Sequence, residues 1–229
     1  MAATDIHGAL RQIAPDNLAP VYVFIGEERF LVDRATHKVR AAVLHGGVEG
    51  FNDDVFHGKG LDAKRFVSAA RTLPMMASMR FVLIRDVDGA AASELDALAD
   101  YLENPSATTA VVMTADKLDG RSRFAKVAKK ASYWIDAKPI KASGARTFVT
   151  AEAKERGHKL TPDAADALVD ALGTDLAALD DALERLSLYV GKGQSIDLQA
   201  VETSVTRIRT ESIWAMVDAV SMRDARTAL

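Results

Sequence analysis

Short segments built mainly from apolar residues, each followed by a helical stretch, restrict this chain to one kind of architecture. They are Val21-Tyr22-Val23-Phe24-Ile25, Phe81-Val82-Leu83-Ile84, Ala110-Val111-Val112-Met113 and Tyr133-Trp134-Ile135-Asp136. Strands apolar at consecutive positions are those covered on both faces, which is the mark of a parallel sheet between helical layers. Asp54-Val55-Phe56-His57 reads as a further, brief strand. Residues 1–20 read as a short helix punctuated by Pro15 and Pro20. Helices are expected at 28–44, broken by His45-Gly46-Gly47, then from the cap Asp62 to Arg71, from Ser93 to Leu102, and at 121–131. Strand–helix alternation of this kind predicts an α/β fold, a parallel sheet with flanking helices.

The character changes between Pro139 and Gly144, and all that follows has helical period. One helix is expected from Thr147 to Gly157. A second starts at the cap Thr161-Pro162-Asp163 with Leu168, Val169 and Leu172 on its face. A third starts at Thr174 or Asp175 and carries Leu176, Leu179, Leu183, Leu186 and Leu188. Asp197 opens a short helix with Val201 and Val205, and Ser212 opens another with Ile213, Met216, Val217 and Val220. This predicts an α/β domain over 1–140 and a small helical lid bundle over 141–210. The end, Ala225-Arg226-Thr227-Ala228-Leu229, has no C-cap, as expected of a chain cut inside a helical segment at 211–229.

The first strand ends at Gly26 and leads through Glu27-Glu28 into a helix. This is the layout of a phosphate-binding loop, G-x-x-x-x-G-K-[ST]. Laid on Gly26, the second glycine falls on Leu31, the lysine on Val32 and the Ser/Thr on Asp33. Leu31 puts a side chain where backbone must cradle phosphate, and Val32 has no charge for it. Asp33, with Glu27 and Glu28, repels an anion at a helix N-terminus that otherwise attracts one. The layout persists without its chemistry, so no nucleotide cofactor is expected.

Composition excludes further classes. At 229 residues with 48% hydrophobic content the chain can bury a full core. A net charge of −3 leaves nucleic-acid contact to a local patch or a partner. The absence of cysteine removes disulfides, thiolate metal sites and a thiol nucleophile, and fits a cytoplasmic protein. Met1-Ala2-Ala3-Thr4-Asp5-Ile6-His7 lacks the basic and apolar regions of a signal peptide. No apolar run approaches the ~20 residues of a membrane span. The five histidines (His7, His37, His45, His57, His158) show no metal-ligand spacing. There is no G-x-S-x-G elbow, so a serine hydrolase finds no support. Asp86 and Asp88 follow a strand where a P-loop ATPase holds Mg²⁺, but without the loop's lysine they read as a polar strand end.

Two other features are candidate contact sites. Arg121, Arg123, Lys126, Lys129 and Lys130 form a basic stretch, with Arg123, Lys126 and Lys130 on one helix face. It is either a phosphate contact or a solvated face. Leu73, Met75 and Met76 stand at a break beside Pro74, where polar residues are the rule. Two flexible thioethers exposed together suit a groove on a partner.

Several segments, weak singly, occur in an order and spacing that resemble one family. They are Tyr22 to Gly26 with Glu27-Glu28 and Phe30-Leu31, then Phe51-Asn52, and Thr72-Leu73-Pro74-Met75-Met76-Ala77 before Arg80-Phe81-Val82. Later come Leu102-Glu103-Asn104-Pro105-Ser106, Gly173-Thr174-Asp175-Leu176 and Leu183-Glu184-Arg185-Leu186-Ser187-Leu188-Tyr189. Over nearly its whole length the chain resembles the delta subunit of the bacterial DNA polymerase III clamp loader. The resemblance implies an AAA+-like module without ATPase activity, then a helical lid, then a helical collar domain of which 211–229 would be the start. It implies a subunit of a polymerase holoenzyme with no active site of its own, which binds and opens the sliding clamp. Gamma/tau motor subunits and delta-prime are the implied partners, with DNA reached through the assembled complex. The clamp-binding pair falls on Met75 and Met76, with Leu73 nearby. Other members carry Leu-Phe-like pairs there. The alternatives are a divergent P-loop NTPase and another inactive AAA+-like scaffold of the delta-prime type. Val32 opposes the first. The second would carry a Ser-Arg-Cys motif, whereas Ser122-Arg123 is followed here by Phe124.

Overall fold

The protein is described from a computed structural model covering residues 5–45 and 50–204. The expected Ser212 helix, Val205 and the 211–229 segment lie outside the described residues, as do Gly46 and Gly47. The chain divides into two compact units, Met1–Pro139 and Ile140–Leu229.

The first unit holds five parallel strands: β1 (Val21–Ile25), β2 (Asp53–His57), β3 (Arg80–Arg85), β4 (Thr109–Ala115) and β5 (Trp134–Asp136). Their spatial order is β2-β3-β4-β1-β5. Val21 pairs with Val111, which pairs in turn with Val82, so three strand centres are in register. All five residues of β1 are buried, as are Phe81 to Ile84 of β3. The all-apolar runs thus take the sheet interior, while β2 at the edge keeps alternation.

Helix α1 (Ile6–Gln12) precedes β1, and helices α2 (Arg29–Val43), α3 (Ala63–Arg71), α4 (Ala92–Glu103) and α5 (Arg123–Lys130) separate the strands. One sheet face, with Val23, Ile84, Val111 and Met113, packs on Phe66 of α3, Leu98 and Tyr101 of α4 and Phe124 of α5. Phe66 meets Tyr101 edge-on at 5.2 Å between ring centroids. The helices α1 and α2 serve the other face, with Leu31, Ala35 and Val39 buried there. Burying each such large side chain contributes about 1.5–3 kcal/mol.

Some boundaries differ from expectation. Helix α4 starts at Ala92 rather than Ser93, and its N-cap Ala91 makes no side-chain hydrogen bond. Packing of Leu98, Tyr101 and Leu102 sets this helix, not its cap. Helix α5 starts after Ser122, whose Oγ accepts the Ala125 N–H, so Arg121 falls in the preceding turn.

The second unit contains α6 (Ala142–Glu155), α7 (Pro162–Leu172) and α8 (Leu176–Val190), with helix resuming at 198. Helix α6 begins ahead of the expected Thr147, because Ala145 is buried beside Phe148 and Val149 and draws the first turn into the core. Caps Thr161 and Asp175 sit where their side chains predict. Leu188, expected on the buried face of α8, is 79% exposed. It lies two residues past buried Leu186, a step of about 200° around a helix of 3.6 residues per turn. Arg156 bridges Glu152 and Asp180 at 2.8 and 2.7 Å, tying α6 to α8.

Candidate functional site

At the end of β1 the chain turns from strand to helix in three residues, too few for a phosphate cradle. Gly26 is needed there for a reason unrelated to phosphate. Its φ is 145°, and a Cβ on it would stand 2.0 Å from the Ala137 carbonyl oxygen. Ala137 follows β5, and its N–H donates to the Ile25 carbonyl at 2.7 Å. The Ala137 carbonyl then accepts the Glu28 N–H at 3.1 Å, while the Gly26 N–H donates to Ala115. The Gly26 and Glu28 amides are therefore satisfied by backbone carbonyls of neighbouring segments.

Leu31, Val32 and Asp33 are the third to fifth residues of α2. Leu31 and Val32 are buried in the core. Asp33 is exposed and stands 3.7 Å from Arg85. The corner above them is a cavity of about 80 Å³ lined by Gly26, Arg29, Asp86 and Asp116. Ligand pockets generally need about 300–1,000 Å³. Arg29 donates to Asp116 at 2.7 Å and lies 4.0 Å from Asp86. The Asp116 hydrogen bond, then its charge, raises the Arg29 pKa. Asp86 is the polar strand end expected, in left-handed conformation, with its N–H on Thr114 Oγ1. The corner's positive charge thus faces carboxylates of its own chain. Equilibrium dialysis with ATP and Mg²⁺ is expected to show no saturable binding up to millimolar nucleotide; micromolar affinity would overturn this reading.

The second candidate is the loop from α3 to β3. Leu73, Met75 and Met76 are 73%, 56% and 85% exposed. Such a set would be unremarkable on a floppy loop, but this one is clasped. Asn52, fully buried ahead of β2, accepts the Met75 N–H on Oδ1 at 2.7 Å and donates from Nδ2 to the Met75 carbonyl at 2.8 Å. Both ends of one side-chain amide are thus used on one loop residue. The Asn52 carbonyl accepts the Phe81 N–H, so the clasp is built into the start of the β2–β3 pairing. Arg80 adds a bond to the Phe51 carbonyl and pairs with Asp54. Met76 has φ 55°, a left-handed backbone that costs a non-glycine residue about 1–2 kcal/mol.

Phe51, adjacent to Asn52 and 57% exposed, joins the apolar set. Reading for exposed pairs missed Phe51 and Asn52 as site residues, since 23 residues separate Asn52 from Met75. Phe51-Asn52 stood among the segments that carry the family resemblance, just before a strand, with no site role attached. Asn52→Ala is expected to destabilise the unit by about 1–3 kcal/mol, since it removes two hydrogen bonds at a buried position. Amide exchange at 73–78 should accelerate more than in β1; uniform acceleration would show that Asn52 serves the core and not the loop.

The basic stretch is largely internally paired. Arg121 binds Asp119 at 3.2 Å. Arg123 reaches Asp100 at 2.6 Å and Glu103 at 3.3 Å on α4. Lys129 lies over the Trp134 ring at 4.6 Å. Lys126 and Lys130 are exposed. The face expected from Arg123, Lys126 and Lys130 therefore has one of its three charges committed to α4.

Known proteins add the following. A Bacillus subtilis DNA polymerase III subunit delta is 25% identical over 220 residues, which is 92% of this chain and 63% of that protein. The chain thus spans less than two thirds of that relative's length. The solved Bacillus subtilis DNA clamp loader delta protein superposes with a TM-score of 0.75 at 23% identity, covering 96% of this chain and 72% of its own. A point mutant of Thermotoga maritima RuvB superposes with a TM-score of 0.52 at 9% identity, covering 97% and 81%. Both likenesses concern the fold, which is AAA+/P-loop-like. Residues 22–138, just over half of the chain and spanning both the closed nucleotide corner and the clasped loop, match the family described as DNA polymerase III, delta subunit, and the chain belongs to that family.

Proposed function

We propose that this chain is the clamp-binding part of a clamp-loader delta subunit, non-catalytic itself, that docks on a sliding clamp and holds one interface of the ring open for loading on primed DNA. The observation that carries the reading is the Met75–Met76 pair, both exposed, with the Met75 backbone held by buried Asn52. A loop with fixed backbone loses little conformational entropy on docking, so apolar burial appears as affinity. Each thioether desolvated in a groove contributes about 1.5–3 kcal/mol, enough to make the pair the dominant contact, with Leu73 beside it. Opening then follows from binding energy alone: a ligand that fits the sprung ring better than the closed one shifts the population toward it.

In this reading 1–140 is an AAA+-like domain and 141–210 a lid; 211–229 lies outside the described residues. The partners are the clamp, the gamma/tau motor subunits, which bind ATP, and delta-prime, in the cytoplasm. DNA is met through the assembly, and direct phosphate contact from 121–130 falls mainly to Lys126 and Lys130, since Arg121 and Arg123 engage carboxylates. Surface-plasmon binding of the chain to the sliding clamp of its own organism tests the proposal. Saturable binding is expected; no binding by the folded chain would leave only an inactive AAA+-like scaffold.

A further inference from the structure

The docking residues of this chain differ chemically from ordinary apolar anchors in one respect: both are thioethers. Met76 is 85% and Met75 56% exposed, whereas Met113 in β4 is fully buried. The chain has no cysteine, so no thiol competes for a two-electron oxidant. Accessible thioether sulfur is the atom such an oxidant attacks first. We propose that Met75 and Met76 are a sulfoxidation site, and that peroxide-class oxidants switch off docking by converting them to methionine sulfoxides. This rests on the docking reading above.

The step balances simply. A sulfur lone pair attacks one peroxide oxygen, an S–O bond forms, the O–O bond breaks, and the proton on the transferred oxygen passes to the departing oxygen, which leaves as water. The sulfide is oxidised by two electrons to the sulfoxide, and hydrogen peroxide is reduced to water. The product is polar and chiral, with a strong acceptor oxygen where an apolar groove offers no donor. The Asn52 clasp holds only the Met75 backbone, so both side chains change while the fold does not. The reaction is reversible by methionine sulfoxide reductases, one for each epimer.

The test uses the whole chain and millimolar hydrogen peroxide. Among the described methionines, peptide mass mapping should find one added oxygen on Met76 first, then Met75, ahead of half-buried Met79, with Met113 at least about tenfold slower because it is shielded from solvent. Clamp affinity should fall by about tenfold or more, with far-UV CD unchanged. Treatment with both sulfoxide reductases should restore it. A Met75→Leu/Met76→Leu variant should show the same affinity before and after peroxide, whatever its starting value. Met76 oxidising no faster than Met113 would overturn the site. Full oxidation of the pair with wild-type affinity retained would overturn the switch. Loss of binding by the peroxide-treated leucine variant would assign the effect to other side chains, which also overturns it. If the untreated chain binds no clamp, the docking reading itself fails and the switch with it, a result separate from the mass map.

Discussion

Replacing Met75 and Met76 together by alanine is expected to lower affinity for the sliding clamp by roughly a hundredfold or more, while far-UV CD and thermal midpoint stay at wild-type values. The two halves of that expectation come from one fact: both side chains are exposed in the free chain. Exposed side chains give the fold little, so truncation costs it little. They give a complex the most, because their desolvation has not yet been used. Leu73→Ala, at the edge of the same loop, should have a smaller effect. Surface-plasmon titration of wild type beside the double variant decides it. Undiminished binding would move the docking site off this loop and leave the family membership intact. Loss of binding accompanied by a lowered thermal midpoint would show instead that the pair supports the fold.

Gly26→Ala should destabilise the first unit by about 3 kcal/mol or more, a fall in thermal midpoint of roughly 10 °C. The new Cβ would meet the Ala137 carbonyl oxygen at 2.0 Å, and that carbonyl is fixed by its bond to Glu28. Relief would have to come from β5 moving off β1. The φ of 145° adds strain that glycine alone avoids. In a working P-loop the glycine serves the nucleotide, and substitution lowers affinity for it. Here the midpoint should fall equally with and without ATP and Mg²⁺. A variant as stable as wild type would mean that β5 is not held against β1 as described. A midpoint raised by nucleotide in wild type would reopen the corner as a binding site.

Much of this arrangement was legible because burial leaves a local trace. Consecutive apolar residues at 21–25, 81–84 and 110–113 marked strands covered on both faces, and the caps Asp62, Thr161 and Asp175 act where their side chains predicted. That Leu31, Val32 and Asp33 stand where a phosphate-binding loop has glycine, lysine and a hydroxyl was readable from residue type alone. So was the exposure of Met75 and Met76, since an apolar pair beside a proline at a helix–strand break has little local core to enter.

Contacts between distant residues left no such trace. Asn52 reaches Met75 because β2 and β3 pair in one register, with Asp53 opposite Phe81. Arg29 meets Asp116 across 87 residues because β1 and β4 are neighbours. Arg123, which looked available for phosphate, is held by Asp100 and Glu103 because α4 and α5 lie side by side. Gly26 looked like the remnant of a nucleotide loop, and its observed role is to admit the Ala137 carbonyl. Periodicity and residue type report how each segment is buried, and those are properties of neighbours in sequence. Which buried or charged group meets which is set by strand order and helix packing, where the energy of a contact depends on both partners at once. The class of fold therefore belonged to the chain's local pattern. The small corner cavity at Gly26 and the presentation of the exposed Met75–Met76 loop arose only once the strands had paired.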